Sequence, residues 1–179
     1  MVGSLLMVGG CLLLLSGPSA LAQSTTTTVA DGDFTNGATW DNGVPSDTVG
    51  TDNAIIDNAL FLSSGGSTFR ALTIGNSAAG TLTVNGGALI TDTSGSNTPD
   101  VFGFNGNTGT LIINSGGNAI LGGNITAVGT GNGSTGIITV EDGTLQINAP
   151  RLGLSTGNGI MNVTNSAANV TITNALHVG

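Results

Sequence analysis

The chain has 179 residues, 31 of them Gly, with no Tyr, two basic residues (Arg70 and Arg151), ten acids and a net charge of −8. So few cations argue against a nucleic-acid binder, which needs Lys and Arg to displace counterions from phosphates, and equally against an anionic membrane surface. Charge this sparse also excludes the surface of a helical bundle, while Thr, Val and Ile set among Gly and Asn favour short strands and tight turns.

Residues 5–15 form an apolar run interrupted by Gly9, Gly10 and Cys11, and Ser16, Gly17, Pro18 and Ser19 break it. Ala20 and Ala22 then supply the small side chains of a cleavage site. This order predicts a secretory signal peptide over 1–22, cut between Ala22 and Gln23. The run is too short to span a membrane, which takes about 20 apolar residues. No Lys or Arg follows Met1, so the basic start of such a leader is missing. A lipoprotein site at Cys11 would place the Cys inside the run, with Leu12 to Leu15 still to come. Cys11 is the only cysteine, so an exported chain is held by packing and backbone hydrogen bonds without disulfides.

Residues 23–33 read as a linker and 34–70 as an opening coil that caps the repeats. Six of the ten acids fall before those repeats: Asp31, Asp33, Asp41, Asp47, Asp52 and Asp57. Asp41, Asp47, Asp52 and Asp57 supply calcium-type oxygen donors but match no EF-hand loop or calcium-binding nonapeptide, so they read as turn and cap residues. Trp40, the lone Trp, offers either a platform for stacking sugars or a lid for the first coil. The lid is the commoner use, because terminal repeats must differ from internal ones.

From residue 71 to 179 the sequence repeats. Segments opening at Gly80, Gly109, Gly136 and Gly159 echo one another, and an apolar-Gly marker precedes each. The markers end at Gly75, Gly103, Gly129 and Gly153, with a further one at Gly179, giving spacings of 28, 26, 24 and 26 residues. Such a period is the signature of a stacked repeat. Two and four residues after each opening Gly stand Leu82/Val84, Leu111/Ile113, Ile138/Val140 and Met161/Val163. Period two puts each pair on one face of a strand. Asn85-Gly86-Gly87, Ser115-Gly116-Gly117 and Asp142-Gly143 supply corners, and a third apolar pair is visible in two repeats, Leu145/Ile147 and Val170/Ile172. Leu72-Thr73-Ile74, before its marker Gly, supplies another short strand.

Three short strands per ~26 residues predict a right-handed parallel β-helix whose coils stack about 4.8 Å apart. A sandwich of β-hairpins is the competing all-β reading, since Asn-Gly-Gly is also a hairpin signal. The last repeat is expected to be truncated, leaving an unpaired edge over an apolar interior and inviting end-to-end self-association.

The marker-Gly, Gly-Thr-Leu-Thr-Val and Gly-Gly alternation resembles the repeats of bacterial autotransporter (type V secretion) passengers and of PEP-CTERM-associated surface proteins. The stretch Thr39-Trp40-Asp41-Asn42-Gly43-Val44-Pro45, followed by Asn53-Ala54-Ile55-Ile56, resembles the module that opens such repeats. The resemblance covers about residues 34 to 179. It implies a secreted or outer-surface protein of a Gram-negative-type bacterium, attached to the outer membrane through parts beyond Gly179. The partners it implies are extracellular or cell-surface glycans or proteins, and it is non-specific about activity.

Chemistry is thinly represented. His177, the only His, alternates with Leu176 and Val178 and so faces solvent, with no role as a catalytic base. A polysaccharide-cleaving β-helix would draw on Asp92, Asp100, Glu141, Asp142, Arg70 and Arg151; Glu141 and Asp142 adjoin at a turn with Arg151 one strand later, but nothing fixes that geometry, and a surface ion pair among these three is the plainer reading. Thr81, Thr83, Thr139, Thr171 and Thr173 suggest an ice-binding face, yet Ile112 and Asn162 interrupt the pattern. Asn124, Asn132, Asn162 and Asn169 head Asn-x-Ser/Thr sequences, which matter only on a eukaryotic secretory route. The expected function is a structural or adhesive surface β-helix with no catalytic residue, cofactor or metal. The alternative is a polysaccharide-processing lyase or hydrolase, or a glycan-binding module.

Overall fold

The structure is a computed structural model and describes residues 24–45, 52–91 and 98–179. Ala22, Gln23, Asp47 and Asp92 lie outside the described residues. The rest forms a β-solenoid of about five turns, built from parallel strands throughout. Three sheets run its length. The first contains Thr25–Thr27, Asn53–Ile56, Ala71–Ile74, Asp100–Phe104, Thr126–Thr130, Pro150–Leu154 and His177–Val178, in that spatial order. The second contains Gly32–Asp33, Ala59–Leu62, Gly80–Val84, Thr108–Ile113, Thr135–Val140 and Asn158–Val163. The third contains Gly66–Phe69, Ala88–Thr91, Asn118–Leu121, Thr144–Ile147 and Asn169–Ile172. Each full turn therefore visits sheets one, two and three before stepping up one level.

Register follows the apolar columns. On the second sheet Leu60, Leu82, Leu111, Ile138 and Met161 stack, and beside them Leu62, Val84, Ile113, Val140 and Val163. A slip of one residue would turn both columns to solvent, so burial sets the pairing. The third sheet extends the expected pairs downward: Val170 and Ile172 lie over Leu145 and Ile147, these over Ala119 and Leu121, and below them stand Leu89 and Thr91. On the first sheet Ile56, Ile74, Phe102, Val128, Leu152 and Val178 form one inward column. The other comprises Ala54, Leu72, Asp100, Thr126 and Pro150.

Sterics account for the marker glycines. Gly75, Gly103, Gly129 and Gly153 all have φ between +72° and +76°, where a Cβ is strained. At Gly103 an added Cβ would also overlap the Thr135 carbonyl, and at the opening Gly109 it would overlap the Ile74 carbonyl and the Gly103 nitrogen. Both glycines are thus required where the corner between sheets one and two crosses the neighbouring turn.

The lowest turn is closed differently. Asn36 caps a 3-10 helix over Gly37–Thr39, and Trp40 comes directly after it. Trp40 packs edge-on against Phe34 at 5.0 Å, and Phe34 stacks on Phe69 at 5.8 Å. The indole Nε1–H donates to the Phe34 carbonyl at 2.9 Å, so the ring's polar edge is satisfied inside.

Candidate functional site

Among the described residues there is no concave pocket, so a candidate site must be sought on the outward columns of the three sheets. On the second sheet these are Ala59, Thr81, Thr110, Ile137 and Ile160, beside Phe61, Thr83, Ile112, Thr139 and Asn162. The third sheet turns out Thr68, Ile90, Ile120, Gln146 and Thr171. The first turns out Ile55, Thr73, Val101, Ala127, Arg151 and His177. Asp33, in register below Phe61, and Arg151 and His177 are the ionisable side chains in these columns. Arg151 and His177 are register neighbours, and His177 is exposed, as alternation predicts.

The groups considered for chemistry are dispersed. Trp40 is 4% exposed and serves as the lid, which removes it as a sugar platform. Thr81, Thr83 and Thr139 share the second sheet with Ile112 and Asn162, whereas Thr171 belongs to the third sheet. Thr173 lies past that strand and donates to Asn148 Oδ1 at 3.2 Å. No continuous Thr face results, which removes the ice-binding arrangement.

The early acids are taken up in hydrogen bonds to backbone and hydroxyl donors. Asp41 accepts from the Thr27 N–H at 2.8 Å and the Thr26 hydroxyl at 3.2 Å. Asp57 accepts from the Asn76 N–H at 2.6 Å and from Ser77, and Asp52 from the Ser24 hydroxyl. Asp31 accepts from the Ala59 N–H at 2.8 Å. Asp33 accepts from the hydroxyl and N–H of Thr35, which hold its carboxyl below the usual range. Only Asp33 is capped within its own corner; Asp31, Asp52 and Asp57 tie a corner to the neighbouring turn, and Asp41 ties the segment after the 3-10 helix to the first strand. Among the described residues, no three His, Cys, Asp or Glu side chains are grouped as a metal site.

The lyase candidates are likewise separated by the three-sided coil. Glu141 and Asp142 sit at the corner after Thr135–Val140, while Arg151 projects from the first sheet. Asp100, a lyase candidate in the sequence, is fully buried, with no access to a substrate. It stands at the first inward position of its strand, with Thr126 as its register partner on one side. On the other side the Leu72 N–H donates to Oδ1 at 3.0 Å. The Thr91 hydroxyl donates to Oδ2 at 2.8 Å, and the Gly123 N–H donates as well. Burial pushes the acid up to about 7 despite these three donors, which pull the other way. Neither a family model, a curated protein nor a solved structure matches this chain.

Proposed function

We propose that this chain is a secreted or cell-surface solenoid acting as a structural or adhesive stalk, with no catalysis of its own. The observation that supports this best is the uniformity of its outer columns. From Ala59–Leu62 upward, Thr, Ile, Asn and Ala recur over five strands of the second sheet without one ionisable group among them, Asp33 standing only at its lowest edge. An enzyme of acidic polysaccharides needs the reverse, with acids and a base gathered in one groove. Flat rows of hydroxyl, amide and small apolar groups suit repeated weak contacts with extended glycans or with protein surfaces, and many such contacts along a rod add through avidity.

Export by a cleaved leader, the outer surface of a Gram-negative-type bacterium and attachment through sequence beyond Gly179 complete the reading. Its test is production of the full chain in a Gram-negative host. Exported material should begin at Gln23, carry no lipid on Cys11 and adhere to glycan or extracellular-protein coatings. A diacylglyceryl group on Cys11 would replace the leader assignment. Release of unsaturated or reducing ends from acidic polysaccharide by the pure protein would replace the stalk with the lyase or hydrolase.

A further inference from the structure

Among the described residues, the one fully buried acid stands at the corner where the third sheet hands over to the first. There Asp100, Thr91 and Thr126 are all completely buried. A carboxyl in such a place is costly unless it is neutral or fully hydrogen-bonded. Its donors come from different levels of the stack. Leu72 and Thr91 belong to the turn over 71–91, and Gly123 lies just past the turn over 100–121. Asp100 therefore ties its own turn both to the turn below and to the corner that leads upward.

The hydroxyl of Thr91 gives this tie two settings. Thr91 Oγ1 accepts from the Gly122 N–H at 2.9 Å, and its own proton has two acceptors in reach. One is Asp100 Oδ2 at 2.8 Å; the other is the Ile120 carbonyl at 3.5 Å. With Asp100 ionised, the Thr91 proton points to Oδ2. With Asp100 protonated, the acid O–H donates to Thr91 Oγ1, whose free lone pair accepts it, and the Thr91 proton turns to Ile120. Leu72 still donates to Oδ1 in both settings. Thr126 Oγ1, in the same inward column, is buried without a hydrogen-bond partner among the described residues. The corner is thus polar without being fully satisfied.

We propose that Asp100 and Thr91 form a proton-operated latch between successive turns, shut when the carboxyl holds its proton and weakened when the proton leaves. Among the described residues, no other ionisable group faces it from the packed elements. Ala71–Ile74, Ala88–Thr91, Asn118–Leu121 and Thr126–Thr130 contain none. In sequence, Asp92 directly follows Thr91 and Arg70 precedes Ala71. The sign follows from burial, since a carboxyl with no exposed surface loses its hydration on ionising. Its contribution to stability is complete below pH 3.8, is lost as pH rises through about 7, and is level above that. Over that window the folding equilibrium constant falls.

The experiment is amide hydrogen exchange of the purified chain across this range, corrected for intrinsic rate, together with carboxyl-carbon NMR titration. Protection of 71–74 and 118–123 should fall as pH rises, and the Asp100 carboxyl should titrate near neutrality. Asp100→Asn should abolish the pH dependence, whereas Asp92→Asn should keep it. Thr91→Val removes a donor to the carboxylate and should move the Asp100 midpoint upward, and Thr91→Ser should restore it. An Asp100 midpoint near 4 overturns the proposal even if Asp100→Asn does not fold. So does pH-dependent protection that survives in Asp100→Asn.

Discussion

At the amino end Phe34 and Trp40 close the coil beneath Phe69, whereas at the carboxyl end Val163, Leu176 and Val178 are 53%, 47% and 75% exposed. Yet Val163 occupies the same column as Val84, Ile113 and Val140, which are wholly buried. Alternation along a strand therefore sets only the direction of a side chain. A turn on each side is what removes it from water. This is the energetics of a one-dimensional stack, in which each repeat's stability is shared with its neighbours.

The comparison can be broken most severely at the marker glycines. Gly103 and Gly153 share one backbone conformation, φ +72° and +73°, but not one environment. A Cβ on Gly103 would overlap the Thr135 carbonyl, while on Gly153 its nearest neighbours would be carbonyl oxygens at 3.2 and 3.4 Å. Gly103→Ala should cost about 4 kcal/mol or more, or prevent folding, since strain and overlap add. Gly153→Ala should cost about 1–2 kcal/mol from backbone strain alone. Urea unfolding of the two variants checks this, and equal losses would show that the neighbouring turn is not the constraint.

A second, smaller contrast uses the columns themselves. Leu111→Ala should cost about 2–5 kcal/mol, the usual penalty for emptying a packed core position. Val163→Ala, at a half-exposed position, should cost under about 1 kcal/mol. Thermal unfolding read for both variants would overturn the neighbour argument if the losses matched. The smallest effect is expected at Thr110, which points outward between Thr81 and Ile137. Thr110→Ala should lie within about 0.5 kcal/mol of the parent, and a larger loss would mean that the outer face is itself packed against something.

The second sheet was legible because its inward positions are Leu, Val, Ile or Met in every strand from Ala59–Leu62 upward. The third sheet was legible only at Leu145/Ile147 and Val170/Ile172. Its lower turns invert the signal, with Thr91 and Ala119 inside and Ile90 and Ile120 outside. Hydropathy then favours neither face, and pairing with the rows above decides. Asp100 was missed because an acid reads as surface by default. A signal was nonetheless present. Aligning the markers places Asp100-Val101-Phe102-Gly103 over Leu72-Thr73-Ile74-Gly75, and this alignment alone puts the acid in a buried column. Trp40 as a lid was readable from its place ahead of the repeats, but its partner Phe34 was not.

The scarcity of basic residues has a further effect on how this protein meets proteases. A trypsin-type enzyme finds two cleavable bonds in the whole chain, after Arg70 and after Arg151. Both lie in the ladder: the Arg70 N–H donates to the Asp52 carbonyl at 2.8 Å, and Ala71 pairs with Asn53. Arg151 is flanked by Ala127 and His177, and Leu152 by Val128 and Val178. A protease must draw several residues into an extended strand of its own, which here means unzipping a parallel row from both neighbours at once. Tryptic cutting therefore tracks the opening of the stack rather than the exposure of a loop, and the chain carries its own resistance to digestion in the spacing of two arginines.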